Sequence, residues 1–364
     1  MTERLIKLTR GVPPVESFPT ARIQECACTV LDEYGDVVLQ YGKSHGFPPL
    51  RKAIAEDAEV DEARVIVGQG SLQLLDLVAR MLVQPGEVVY VEAPTYDRTL
   101  TTLRRAGAEV VGIPLEDDGP DLEVLEARLA GGERPLFFYL IPDFQNPSGT
   151  VLSAAKRKRI VALAREHDFW LVEDVPYRRL RYRGESEPSL FELAPERVMQ
   201  MSSFSKLISP GLRVGYIITP ELLTDSLAKM AEDTYINASY FNQAIVYDFR
   251  RRGWLEPQIE GLRGLYEPRL DAMLGALEQN FSGMGSWRRP DGGFFVGLTL
   301  DGEVDTDLLL ARACERRLLL TDGRGFFPGN DGNGFVRLPF CALTEAEITE
   351  GVTRLAEVVR DCEK

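Results

Sequence analysis

Ser202-Ser203-Phe204-Ser205-Lys206-Leu207-Ile208-Ser209-Pro210-Gly211-Leu212-Arg213-Val214-Gly215 joins two short apolar runs, 198–201 and 214–218. One lysine stands among small hydroxyls, and Arg213 follows it seven residues later. Serine hydroxyls and an arginine are groups that hold a phosphate dianion, and a lysine amine beside them can condense with an aldehyde. A Ser/Lys-rich turn entering a strand is also ordinary surface chemistry, so the surrounding chain decides.

Working outward, short apolar runs alternate with amphipathic ones from residue 62 to residue 215. Candidate strands fall at 64–67, 88–92, 109–113, 136–140, 169–173, 198–201 and 214–218. Helical spacing marks 72–82, 95–106, 122–129 and 154–167. Strict alternation predicts a mostly parallel sheet of seven strands covered on both faces, an α/β architecture. Past Pro220 the texture changes to long helical stretches, including 242–280 with a break near Gly253. A strand at 293–300, a helix at 305–317, a strand at 335–338 and a closing helix at 345–361 follow. This predicts a second, smaller α+β domain. At 364 residues the chain exceeds the usual size of one core. The expected division is a large domain at 40–250 and a small one built from 1–39 and 251–364.

Net charge is −14, from 42 basic and 56 acidic residues. Such a surface repels phosphate backbones and anionic lipids, which argues against nucleic acid and membrane partners. No apolar run approaches the roughly 20 residues of a membrane helix. The start, Met1-Thr2-Glu3-Arg4, lacks the apolar core of a secretory signal. Cys26, Cys28, Cys314, Cys341 and Cys362 are odd in number, with no Cys-x-x-Cys pair, so neither a disulfide framework nor a zinc site is indicated. Only His45 and His167 are available, which removes most Ser-His-Asp and His-metal schemes. A reduced, cytoplasmic protein is expected.

Three patterns imitate other chemistries. Gly68-Gln69-Gly70-Ser71-Leu72-Gln73 after an apolar strand, with Glu92 ending the next, resembles a dinucleotide fingerprint. Gln73 stands where the third glycine permits close helix–strand packing, which disfavours that site. The helix start remains a good anion cradle. Gly42-Lys43-Ser44 mimics the end of a P-loop, but Val37 occupies the place of the required glycine. Asp117, Asp118 and Asp121 are most simply a solvated loop around Gly119-Pro120.

Three further segments complement Lys206. Glu92-Ala93-Pro94-Thr95-Tyr96, Phe144-Gln145-Asn146-Pro147-Ser148-Gly149 and Glu173-Asp174-Val175-Pro176-Tyr177 each follow a strand. They place an aromatic ring, an amide, and a carboxylate with a phenol at the carboxyl edge of the sheet, where open α/β sheets bind ligands. A cofactor with both an aldehyde and a phosphate is pyridoxal 5′-phosphate (PLP), and a Schiff-base lysine is its usual mark.

Taken in this order, Asn-Pro-x-Gly, Asp-x-x-Tyr and Ser-x-Ser-Lys…Gly-Leu-Arg-x-Gly resemble the fold-type I PLP-dependent aminotransferases of class I/II. Closer still is the subgroup of 2-aminoadipate and kynurenine aminotransferases and the enzymatic domains of MocR-type regulators. The resemblance spans nearly the whole chain, from Arg10-Gly11-Val12-Pro13 to Arg337-Leu338-Pro339-Phe340. It implies the aspartate-aminotransferase-like fold, with a three-layer large domain. It also implies that Lys206 holds the cofactor and moves the proton, and that Asp174 pairs with the pyridine nitrogen. Tyr177 and Asn146 would bond the 3′ oxygen, and Tyr96 would stack on the ring. Ser71, the backbone of Leu72, Ser203, Ser205 and Arg213 would hold the phosphate. Tyr41 would reach the phosphate of a neighbouring subunit, making the active unit a homodimer with shared sites. Arg337 would grip the substrate α-carboxylate, and Gly11 would leave space where the N-terminal segment crosses the substrate.

Several positions depart from the relatives. Their extra N-terminal helix carries an arginine with no counterpart here, and Arg4, Arg10 and Arg22 are the nearby candidates. Leu72 replaces a glutamine, Pro339 a serine, and Asp322-Gly323-Arg324 a Pro-Gly, each altering the rim of the site. His45 could donate on the substrate side or be a hydrogen-bonded loop residue. The expected activity is ping-pong transfer of an amino group from an L-α-amino acid to a 2-oxoacid, 2-oxoglutarate by family resemblance. A PLP-dependent lyase, cyclase or oxidase acting on a specialised amino acid is the alternative. A PLP-sensing regulator would need an appended helix-turn-helix, for which Met1 leaves no room. A dehydrogenase is disfavoured by Gln73.

Overall fold

Strands buried on both faces satisfy their backbones in a sheet and need helices above and below to cover their side chains. Residues 65–218 are organised in that way. The computed structural model describes residues 4–329 and 331–362. The chain begins with β1 (Ile6–Leu8), α1 (Thr20–Val38), α2 (Pro48–Ala58), β2 (Val65–Gly68), α3 (Ser71–Leu82), β3 (Val88–Ala93), α4 (Asp97–Arg105), β4 (Glu109–Glu116) and β5 (Gly119–Pro120). It continues with α5 (Leu122–Ala130), β6 (Phe137–Leu140), α6 (Ala154–Glu166), β7 (Trp170–Asp174), α7 (Leu190–Leu193), β8 (Val198–Ser203), β9 (Gly215–Ile218), α8 (Glu221–Tyr235) and α9 (Tyr240–Arg251). The last part holds α10 (Leu255–Phe281), β10 (Gly285–Trp287), β11 (Phe295–Leu300), α11 (Thr306–Glu315), β12 (Leu318–Leu320), β13 (Phe335–Pro339) and α12 (Glu345–Cys362).

The main sheet has the order β2-β9-β8-β7-β6-β3-β4-β5. Strands β4, β3, β6, β7 and β8 run parallel, while β9 is antiparallel to both β8 and β2. All seven strands read from the sequence are present. An eighth, the two-residue β5, folds back antiparallel on Leu115 and Glu116. That exposed turn is the solvated loop read from Asp117 and Asp118, and each of the three acids also finds a partner. Asp117 pairs with Arg288, Asp118 with Lys156 at 2.8 Å, and Asp121 caps α5 by accepting from Val124 N at 3.0 Å.

Boundaries differ from the sequence pattern where tertiary contacts intervene. Helix α4 starts at Asp97 and not at 95, because Thr95 N bonds to Phe326 O at 2.8 Å. Strand β11 starts at Phe295 because Gly293 N is taken by Leu180 O at 3.0 Å. The break between α9 and α10 falls at Gly253, whose φ of +70° is one that glycine adopts without strain.

A three-stranded antiparallel sheet, β10-β11-β13, and helices α10, α11 and α12 form the C-terminal part. Strand β1 pairs in parallel with β12, so the N-terminus joins this part, whereas α1 packs along α9. Residues 9–12 therefore run between the two sheets, directly over the carboxyl edge of the larger one.

Candidate active site

Strands β3, β6, β7 and β8 all end at one edge, and the loops after them converge there. Together with the start of α3, the strap at 9–12, β11 and β13, they enclose a cavity of about 490 Å³. Its lining includes Ser71, Leu72, Tyr96, Asn146, Asp174, Tyr177, Ser203, Ser205, Lys206, Arg213, Gly11 and Arg337. Residues spread over more than 300 positions are thus brought together. Of the residues to which the resemblance gives a role, Tyr41 lies elsewhere.

One end of the cavity is built for an anion. Helix α3 begins there, with Gly70 at φ +95° before it, so the free amides of its first turn face the opening. Gln73, at the place of a dinucleotide fingerprint's third glycine, accepts from Gln69 N at 2.7 Å through its side chain and ties the turn. Arg213 donates to Gln69 O at 2.8 Å and reaches Ser205 Oγ at 3.5 Å. Ser203 and Ser205 hydroxyls lie 2.9 Å apart. A Cβ on Gly70 would sit 2.6 Å from Arg213 Nη2, and one on Gly215 would meet the Gly70 and Ser71 backbone at 2.7–2.8 Å. Two hydroxyls, a guanidinium and a helix start held this close match the oxygens of a phosphate dianion.

In the middle, Lys206 donates to Gly11 O at 3.3 Å and lies 5.5 Å above the Phe294 ring. The residue is half-buried by exposure, but enough protein surrounds the amine for desolvation to push its pKa below the usual lysine value. Arg213 and Arg337 add to that shift, and Cys341 and Asp174 oppose it. A neutral amine is a nucleophile and a base.

Asp174 accepts from Tyr139 OH at 2.9 Å through Oδ2, while buried Oδ1 has no partner among the described residues. Burial pushes its pKa up to about 7, against the pull of Tyr139 and Lys206. A buried carboxyl oxygen without a partner, on a residue that lines a polar cavity, suits a donor from a ligand. A protonated ring nitrogen has that chemistry and would restore the carboxylate. Tyr177 is held between Phe294 and Phe295, with centroids at 5.4 and 6.0 Å, and burial keeps its phenol protonated. The residues present therefore fit PLP.

At the far end Arg337 is buried and has no carboxylate hydrogen-bonded or ion-paired to it among the described residues. It donates to Asn146 Oδ1 at 3.1 Å and Thr9 O at 2.7 Å, and Nε is unpartnered. Its guanidinium is sandwiched by Phe326 at 4.5 Å and Phe295 at 4.9 Å. Burial lowers its pKa, although Asp97 and the two tyrosines nearby offset part of this. A planar cation fixed without a counter-ion is a receptor for a carboxylate.

Tyr41 is 75% exposed and makes no contact with the cavity of its own chain. His45 is likewise outside the cavity lining. Its carbonyl accepts from Val67 N at 2.8 Å, and burial, with Arg51 next, lowers its pKa. This supports the loop reading over the substrate donor. Arg4 pairs with Glu347 and Arg22 lies over Trp254 at 5.5 Å, so neither faces the cavity. Arg10 does line it, exposed and with no hydrogen bond or ion pair among the described residues. Arg324 is drawn away from the rim by Asp322 and Asp307.

Sequence reasoning missed Tyr139, Phe295, Phe326 and Thr9. Only Tyr139 carried a local signal, a hydroxyl inside the apolar run Phe137-Phe138-Tyr139-Leu140 that needs a buried partner.

Comparison with known proteins agrees with this geometry. The model of the family described as aminotransferase class I and II matches residues 3–355. An aromatic-amino-acid aminotransferase of Thermococcus litoralis is 37% identical, over 99% of this chain and 89% of its own. The crystal structure of a Thermus thermophilus alpha-aminoadipate aminotransferase, complexed with N-(5′-phosphopyridoxyl)-L-leucine, superposes with a TM-score of 0.93. Identity is 34%, with 99% of this chain and 93% of that one covered. A Pyrococcus horikoshii kynurenine aminotransferase gives a TM-score of 0.96 at 33% identity, covering 100% and 92%.

Proposed function

The chain belongs to the class I and II aminotransferases, and from that premise we propose how its residues divide the work of PLP-dependent transamination. Lys206 Nζ would hold the cofactor's aldehyde carbon, Asp174 Oδ1 its ring nitrogen, and Tyr177 with Asn146 its 3′ oxygen. Tyr96 would cover a ring face, and Ser71, the Leu72 amide, Ser203, Ser205 and Arg213 would hold the phosphate. When bound, PLP supplies an electron-accepting ring conjugated to the substrate Cα.

The chain's own residues do the rest. Arg337 binds the α-carboxylate in a two-pronged grip and so fixes the orientation of the Cα–H bond. Phe295 and Phe326 hold that guanidinium in plane. Gly11 keeps the strap clear, since a Cβ there would meet the Phe295 ring at 2.2 Å. Lys206, whose pKa burial and the neighbouring arginines lower, would take the proton from Cα and return it at the cofactor's C4′. Amino donor and oxoacid acceptor then use the same clamp in turn, the requirement of a ping-pong cycle.

The acceptor we propose is 2-oxoglutarate. Arg10 and Arg98 stand on the exposed rim of the cavity, where a second carboxylate would arrive. We further propose a homodimer: Tyr41, Leu39, Val37 and Ile236 are exposed apolar side chains, and Gly42 is tied to Asn237 close to two of them. A second copy would cover these residues and receive Tyr41 at its phosphate end. Sedimentation should show a dimer, and a fully active monomer would remove the shared-site reading. A cytoplasmic location is consistent with five cysteines that are all free. Among the described residues no helix is long and apolar enough to cross a membrane.

The observation that carries the proposal is that one cavity holds Lys206, Asp174, the anion cradle and an unpaired Arg337 together. Its test is a half-reaction: holoenzyme mixed with single amino acids in the absence of oxoacid. The cofactor absorbance should convert to that of pyridoxamine phosphate and return on adding 2-oxoglutarate, and Lys206→Ala should show neither change. Ammonia release with the original spectrum restored would instead identify an elimination.

A further inference from the structure

Tyr139 is fully buried on β6, in a run that is otherwise apolar. A phenol in that setting must donate its proton, because burial and the nearby Asp174 hold its pKa well above the ordinary value. Asp174 Oδ2 receives that proton at 2.9 Å. The other buried carboxyl near it, Glu92, is already engaged by Ile141 N at 3.0 Å and Gln145 Nε2 at 3.1 Å. A hydrogen bond to Oδ2 favours the charged form of Asp174. It also uses one oxygen and leaves the other, Oδ1, without a partner on a residue that lines the cavity.

We propose that Tyr139 is a positioning residue of the transamination reaction, fixing Asp174 as a carboxylate with Oδ1 presented to the ring nitrogen of the cofactor. It touches neither cofactor nor substrate in this role and acts entirely through Asp174. The inference rests on the pairing of Asp174 with the ring nitrogen proposed above, and a buried tyrosine that merely satisfies its own hydroxyl is the competing account.

The two accounts separate in cofactor binding. Protein stripped of cofactor is titrated with PLP and with 1-deaza-PLP, in which carbon replaces the ring nitrogen, for the wild type and Tyr139→Phe. The variant should bind PLP roughly tenfold more weakly or worse, as expected for a lost hydrogen bond to a buried charge. Its affinity for 1-deaza-PLP should be unchanged, which also shows that the variant is folded. Equal weakening towards both cofactors, or no weakening towards either, overturns the role of Tyr139. If the wild type itself binds the two equally, the ring-nitrogen assignment of Asp174 fails first, and the Tyr139 inference fails with it. An Asp174→Asn background gives a second reading: Tyr139→Phe should then add little to the loss of PLP affinity, whereas a structural role would add its full effect.

Discussion

On β7 two buried carboxyls follow one another in the chain, and side chains at successive strand positions point to opposite faces of the sheet. Glu173 faces the start of α7 and is saturated: Leu190 N at 2.8 Å, Phe191 N at 3.1 Å and Gln200 Nε2 at 2.9 Å all donate to it. Asp174 faces the cavity with one donor and one orphaned oxygen. Two buried arginines repeat the contrast. Arg157 is ion-paired to Asp143 at 2.8 Å and donates to the carbonyls of Leu152, Pro142 and Pro188. Arg337 has only a neutral amide and one carbonyl. Burial alone does not separate a structural charge from a functional one. Unspent hydrogen-bonding capacity in a cavity-lining charge separates these two pairs, because leaving a buried charged group without a partner is costly unless a ligand completes it.

The contrast is broken or sharpened most directly at β7. Asp174→Asn should lower kcat by about 10²–10³-fold, the range for removing one preorganised electrostatic partner, with little loss of stability. Glu173→Gln should leave kcat nearly unchanged and destabilise the protein by about 1–3 kcal/mol, because one amide N–H would then face backbone donors. Steady-state kinetics beside chemical denaturation reads both, and similar losses of kcat in the two variants would break the comparison.

The arginines give a smaller effect. Arg337→Met should raise KM for every α-amino acid by roughly 10- to 100-fold and leave thermal stability level or improved, since an uncompensated buried charge is removed. Arg157→Met should leave Asp143 to Arg178 alone, at 3.0 Å, and deprive three carbonyls of their donor, costing about 1–3 kcal/mol of stability without altering KM. A Tm that falls equally in both variants would mean that Arg337 is structural too.

Glu92 is the intermediate case, with two donors on a single oxygen, Oε2, and complete burial, and the effect expected from it is the smallest. Burial pushes its pKa up to about 8, against bonds from Ile141 and Gln145. The folded protein therefore binds a proton that the unfolded chain releases near pH 4.5. The stability from this group is full below that pH and declines as pH rises towards 8. Glu92→Gln should flatten the fall in Tm between pH 5 and 8, and an unchanged slope would show that the carboxyl is already ionised.

The sequence by itself determined the α/β alternation, the cofactor class and most of the residues around it. Each sits in a local pattern whose chemistry is legible without a partner: a lysine among hydroxyls, an anion cradle at a helix start, an Asp-x-x-Tyr after a strand. Strand existence was legible for the same reason, since burial on both faces demands a continuous apolar run. Only the tertiary structure decided which charges were satisfied. No local pattern says that Arg157 is ion-paired and Arg337 is not, or that Glu173 takes three donors and Asp174 one. Arg337 meets Thr9 across 328 positions, and Tyr139 meets Asp174 across 35. Such pairing depends on which strands become neighbours and where the N-terminal strap crosses them, a through-space property that no local pattern encodes.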